Sequence, residues 1–141
     1  MRTIKFRGKM VDGGEWIYGY LSSHNTISVE VKDESVGYFT HEEYFIAPST
    51  VGQFTGLHDK NGKEIYEGDI LCNDKYQTWE WRGVVKFSHG FFGCEWLSNV
   101  KSQSMVGSWG QKHNLRKLDD DILERQIVIG NIYENPELVN N

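Results

Sequence analysis

Gln53-Phe54-Thr55-Gly56-Leu57-His58-Asp59-Lys60-Asn61-Gly62-Lys63-Glu64-Ile65-Tyr66-Glu67-Gly68-Asp69-Ile70 is the stretch that decides how this chain folds. Two short runs, Gln53 to Leu57 and Lys63 to Tyr66, flank Asp59-Lys60-Asn61-Gly62. Asn-Gly tolerates the positive φ that a tight or bulged turn requires, so the stretch reads as a β-hairpin. Glu67-Gly68-Asp69 then breaks the pattern: Gly68 permits a sharp turn, and the acids are expected to solvate it. Ile70-Leu71-Cys72 resumes the strand. The segment Gly56 to Lys63 is also a near miss for a phosphate-binding loop, which follows its Lys with Ser or Thr. Here Glu64 follows Lys63, a carboxylate that repels phosphate, and the flanks are strand-like on both sides.

Outward from this hairpin the same short-strand rhythm continues. Thr3 to Lys9 alternates Ile4, Phe6 and Gly8 with Lys5, Arg7 and Lys9. After the turn signal Asp12-Gly13-Gly14, Glu15 to Leu21 places Trp16, Tyr18 and Tyr20 on one face. Thr26 to Val31 alternates through Ile27, Val29 and Val31, and Tyr44 to Ala47 is a short run stopped by Pro48. Trp79 to Ser88 and Phe91 to Leu97 form a further pair joined at His89-Gly90. Its Trp79, Trp81, Val85 and Phe87 read as one buried stripe with a slip at Gly83. A short helix is expected near Leu118 to Arg125, with an Asp at its start. Gln126 to Tyr133 is the clearest buried strand, ended by Asn135-Pro136. No repeat, linker or shift in composition divides the chain, so residues 1–141 read as a single domain.

Composition agrees with a mainly β fold: five Trp, seven Tyr, seven Phe and 15 Gly stand against two Pro in 141 residues. The charge balance, 15 basic against 20 acidic residues for a net −5, argues against duplex-phosphate binding as the main activity. No apolar run approaches the roughly 18 residues that span a bilayer. Met1 to Arg7 lacks the apolar core of a secretion signal, so the expected compartment is cytoplasmic and Cys72 and Cys94 are expected as reduced thiols, with a single disulfide between them as the alternative that spacing allows.

Candidate sites are few. The histidines His24, His41, His58, His89 and His113 lack the close pairing of metal ligands, and the nearest combination, His89 with Cys94, spans a turn. No metal or cofactor is expected. Asp119, Asp120 and Asp121 sit where the short helix begins and suit its dipole. No Ser or Cys lies in a nucleophile elbow, and no enzymatic activity is expected. The aromatic load points elsewhere. Trp79, Trp81 and Arg82, or Tyr18 and Tyr20 near Arg7, form the kind of aromatic and cationic set on which single-stranded nucleic acid stacks. Against that reading, a small barrel needs large side chains to fill it. Arg2, Lys5, Arg7 and Lys9 form a local basic cluster.

From Ser98 to Asn114 the periodicity fails, yet Val100, Met105, Val106 and Trp109 are apolar. A loop of this length tends to be functional or part of an interface. These residues, Trp109 above all, are therefore the expected contact surface of a homo-oligomer; the alternative is that Trp109 folds back onto its own barrel.

Three blocks carry a family resemblance: Ile4-Lys5-Phe6-Arg7-Gly8, Val51 through Ile70, and Val128-Ile129-Gly130-Asn131-Ile132-Tyr133-Glu134-Asn135-Pro136-Glu137-Leu138. In content and order they resemble the YopX family of phage and prophage proteins. The resemblance implies an SH3-like barrel or roll, mainly β, with additional strands and short helices. It implies no reaction and carries over no catalytic residue. The leading expectation is a non-enzymatic phage accessory protein acting through contacts with itself and with a host or phage protein. The alternative is a small-barrel binder of single-stranded nucleic acid.

Overall fold

A computed structural model describes residues 2–97 and 115–140. The chain packs as two compact units, residues 1–56 and 57–141. Both are built from antiparallel strands, and the mainly β expectation holds.

The first unit contains β1 (Phe6–Lys9), β2 (Trp16–Ser23), β3 (Thr26–Asp33), β4 (Tyr38–Phe45) and the start of β5 (Gly52–His58). They lie in the order β4-β3-β2-β1-β5. Ile27, Ile46 and Phe54 are its buried apolar side chains. Arg7 departs from the alternation read in the sequence. It is 5% exposed, and its guanidinium lies 4.7 Å from the Trp16 ring centroid. Lys9 shares that ring at 5.9 Å, and Lys5 lies over Phe54 at 5.2 Å. Three of the four cations of this cluster, Lys5, Arg7 and Lys9, are thus laid against aromatic faces, where attraction to the ring quadrupole offsets part of the lost hydration.

Strand β4 was not legible as such. The sequence suggests only Tyr44 to Ala47, whereas all eight residues from Tyr38 to Phe45 pair with β3 in unbroken register, Thr26 opposite Phe45 through Asp33 opposite Tyr38. His41-Glu42-Glu43 disguises the strand, because an edge strand exposed on both faces has no need of apolar alternation.

In the second unit, β5 ends at the predicted turn and returns as β6 (Glu64–Tyr66). Gly62 sits at φ 82° with nothing within 4 Å of where a Cβ would project. Left-handed backbone alone accounts for glycine there. Strands β7 (Asp69–Asn73), β8 (Arg82–Ser88), β9 (Phe91–Trp96), β10 (Leu115–Lys117) and β11 (Gln126–Asn131) form a sheet in the order β10-β9-β8-β7-β11. The short helix α1 (Asp120–Leu123) is capped by Asp119, whose carboxylate accepts the Ile122 N–H at 2.9 Å. Ile65, Leu71, Val85, Cys94, Leu118 and Leu123 form the core, with Leu57, Trp96 and Val128 against it.

Two details of β8 correct the sequence reading. Residues Trp79–Trp81 form a 3₁₀ turn before the strand, and the expected buried stripe is broken: Val85 is buried while Trp81 and Phe87 are 47% and 54% exposed. Gly83 marks no slip, since it stays in register opposite Leu71 and Trp96. A Cβ there would stand 2.4 Å from the Cys94 sulfur, so glycine answers to close approach.

Candidate functional site

The carboxylates around the hairpin have structural partners. Asp59 is 8% exposed. Its Oδ1 accepts the Asn61 and Lys63 N–H groups at 2.8 and 2.9 Å, and its Oδ2 accepts the Val128 N–H at 2.9 Å. One side chain thereby closes the turn and fastens it to β11. Asp69 corrects the expectation that the acids beside Gly68 solvate the turn: it is 2% exposed and accepts the Tyr66 N–H at 2.8 Å. Among the described residues, no group of three or more His, Cys, Asp and Glu is arranged to hold a metal ion. Cys72 and Cys94 are free and buried. Burial raises both thiol pKa values; for Cys72 the Arg82 guanidinium opposes the shift, and for Cys94 the nearby Glu95 charge adds to it.

Of the residues proposed for nucleic acid, the structure separates one from the others. Arg82 is a clamp: its Nη1 donates to the Leu138 carbonyl and its Nη2 to the Gln77 carbonyl, both at 3.1 Å. Trp79 is half-buried, whereas Trp81 is exposed and stacks on Tyr76 with ring centroids 5.1 Å apart and planes 27° apart. No local pattern singles out Tyr76, which stands in a polar loop. Trp81 and Tyr76 line an open cleft of about 370 Å³ with Lys60, Asp74, Lys75 and Arg125 among its walls. Lys75 lies over the Tyr76 ring at 5.1 Å, and Lys60 is ion-paired to Asp74.

Among the described residues, most of the exposed aromatic side chains belong to the first unit. Tyr38, Phe39 and Phe45 on β4 are 62%, 58% and 65% exposed, with Tyr18 and Tyr20 on β2 also open. Strand β4 stands at the end of its sheet. The Tyr44 hydroxyl donates to Glu42 at 2.5 Å, and that carboxylate raises the Tyr44 pKa. The expected oligomer residues Val100, Met105, Val106 and Trp109 lie outside the described residues.

The family described as YopX protein matches residues 5–140. The chain belongs to the YopX family. The crystal structure of protein EF1440 from Enterococcus faecalis is similar to this YopX chain, at 26% identity and a TM-score of 0.55. The similarity covers 99% of this chain and 100% of that one. Comparison with curated proteins gives no match. No helix among the described residues of this YopX protein is long and apolar enough to cross a membrane.

Proposed function

We propose that this YopX-family chain is a non-enzymatic phage or prophage accessory protein. In this reading it works in the host cytoplasm through protein contacts, including contacts with copies of itself. The observation that carries the proposal is the open aromatic surface of the first unit, with Tyr38, Phe39 and Phe45 exposed on a terminal strand. Aromatic side chains supply rigid contact area and are enriched at protein interfaces. A terminal strand also offers main-chain donors and acceptors to a partner. The non-enzymatic part is supported by the roles of Asp59, Asp69 and Asp119, each of which accepts at least one backbone N–H within the fold. Light scattering coupled to size exclusion tests self-association. A mass above the 16.3 kDa of one chain at tens of micromolar concentration is expected, and a monomer at that concentration overturns it.

A second reading, binding of single-stranded nucleic acid, draws on the Tyr76–Trp81 stack and the cations lining its cleft. Bases stack on such aromatic faces with little sequence preference. If it holds, oligonucleotides quench Trp fluorescence, Trp81→Ala abolishes the quenching, and binding weakens as salt rises. The leading reading expects no quenching at physiological salt.

A further inference from the structure

The backbone of β4 defines what its open edge can accept. Register with β3 pairs residues whose numbers run from Thr26 and Phe45 to Asp33 and Tyr38. One rung beyond, the Ile46 N–H donates to the Asn25 carbonyl at 2.9 Å. In an antiparallel ladder hydrogen-bonded and non-hydrogen-bonded rungs alternate. The even residues Tyr38, Thr40, Glu42 and Tyr44 therefore turn their N–H and C=O groups toward β3, and the odd residues turn theirs away. Neighbouring contacts agree: the Phe45 carbonyl accepts the Val11 N–H at 3.2 Å, and the Ala47 N–H donates to the Lys9 carbonyl at 2.8 Å. The segment Lys9–Val11 thus covers the edge from Phe45 onward. Among the described residues, Phe39, His41 and Glu43 keep outward backbone groups with no main-chain partner.

We propose that this edge pairs antiparallel with β4 of a second copy, about a two-fold axis through His41. The inference rests on the self-association reading and names its surface and register. A two-fold axis normal to a sheet places one residue opposite its own copy. An axis at His41 uses the outward groups of all three: Phe39 faces Glu43 of the copy, His41 faces His41, and Glu43 faces Phe39. An axis one residue later sets Phe39 against Phe45, where Val11 already sits, and places the two Glu42 directly opposite each other, whereas the His41 axis leaves them on a diagonal.

The side chains suit the His41 register. On one face Tyr38 meets Tyr44 of the copy and Thr40 meets Glu42, on non-hydrogen-bonded rungs where side chains approach closest. On the other face the central imidazoles lie between Glu30, which pairs with His41 across β3, and Glu43 of the opposing copy on the diagonal. Carboxylates thus surround the imidazole pair from both β3 and the partner strand.

His41→Pro tests this directly, because the proline removes an N–H that points away from β3. Proline is tolerated on an edge strand when its N–H side faces outward. The expected result is a variant with a cooperative thermal transition like wild type, but the mass of one chain by light scattering. A folded His41→Pro protein that keeps the wild-type oligomer mass overturns the proposal. His41→Cys adds a readout that needs no loss of assembly. Opposed Cα atoms on that rung stand about 5.5 Å apart, within disulfide reach. Mild oxidation should give a covalent dimer on a non-reducing gel, while Val36→Cys, in the exposed turn before β4, should not. A wild-type oligomer without His41→Cys cross-linking overturns the edge register and leaves self-association standing. A monomeric wild type overturns both.

Discussion

Asp59→Ala removes the side chain that ties the central hairpin to β11. In the folded chain its carboxylate accepts the N–H groups of Asn61, Lys63 and Val128 at 2.8–2.9 Å while 8% exposed. Asn61 and Lys63 are exposed, so water replaces part of the lost bonding there, at about 0.5–1.5 kcal/mol each. The Val128 N–H lies in a half-buried strand and is rehydrated less well, which costs about 1–3 kcal/mol. The variant should therefore lose about 2–6 kcal/mol, a large share of the roughly 5–15 kcal/mol that stabilises a typical domain. Urea denaturation followed by Trp fluorescence measures the loss. Asp59→Asn, which keeps one carbonyl acceptor, should fall between wild type and alanine. Amide exchange at Val128 gives a local readout, with protection expected to drop in both variants. A loss below about 1 kcal/mol for alanine, with Val128 protection unchanged, would refute the anchoring role.

Further outcomes follow from the turns and the buried thiols. Gly62→Val should cost about 1–2 kcal/mol through backbone strain alone, since φ is 82° and the space around it is empty. Gly83→Ala should cost about 1–3 kcal/mol through overpacking against the Cys94 sulfur. Equal, near-zero effects in thermal denaturation would contradict both. The Cys94 thiol has its pKa raised above the ordinary 9.0 by burial, so the unfolded chain releases this proton first as pH rises. Its contribution to stability is full below about pH 9 and is lost above it at up to about 1.4 kcal/mol per pH unit. Urea midpoints at pH 8 and pH 10 should therefore fall further for wild type than for Cys94→Ala, and parallel falls would refute the assignment.

Local chemistry determined much of this fold before any tertiary contact was known. Asn61-Gly62 and His89-Gly90 place the turns because few residues accept positive φ, a preference that acts within a few bonds. Asp119 announces the helix start for the same local reason, since its side chain reaches a backbone N–H in the first turn. The family membership was equally legible, because its blocks are contiguous in sequence. Tertiary structure decided which side chains were buried and which edges stayed open. Asp59 reads as a turn residue, but its bond to Val128 crosses 69 positions of chain and no local pattern signals it. Arg7 and Arg82 read as surface cations; Trp16 covers one, and the distant Leu138 carbonyl helps hold the other. Trp79 and Trp81 fit a strand stripe by spacing, yet the 3₁₀ turn places one inward and the other over Tyr76. Strand β4 is the element least legible in the sequence. Its polar centre gives no apolar alternation, and only pairing with β3 makes it a strand and leaves alternate backbone groups facing outward. Burial and edge exposure are set by what arrives from elsewhere in the chain, and a local window of sequence does not contain that information.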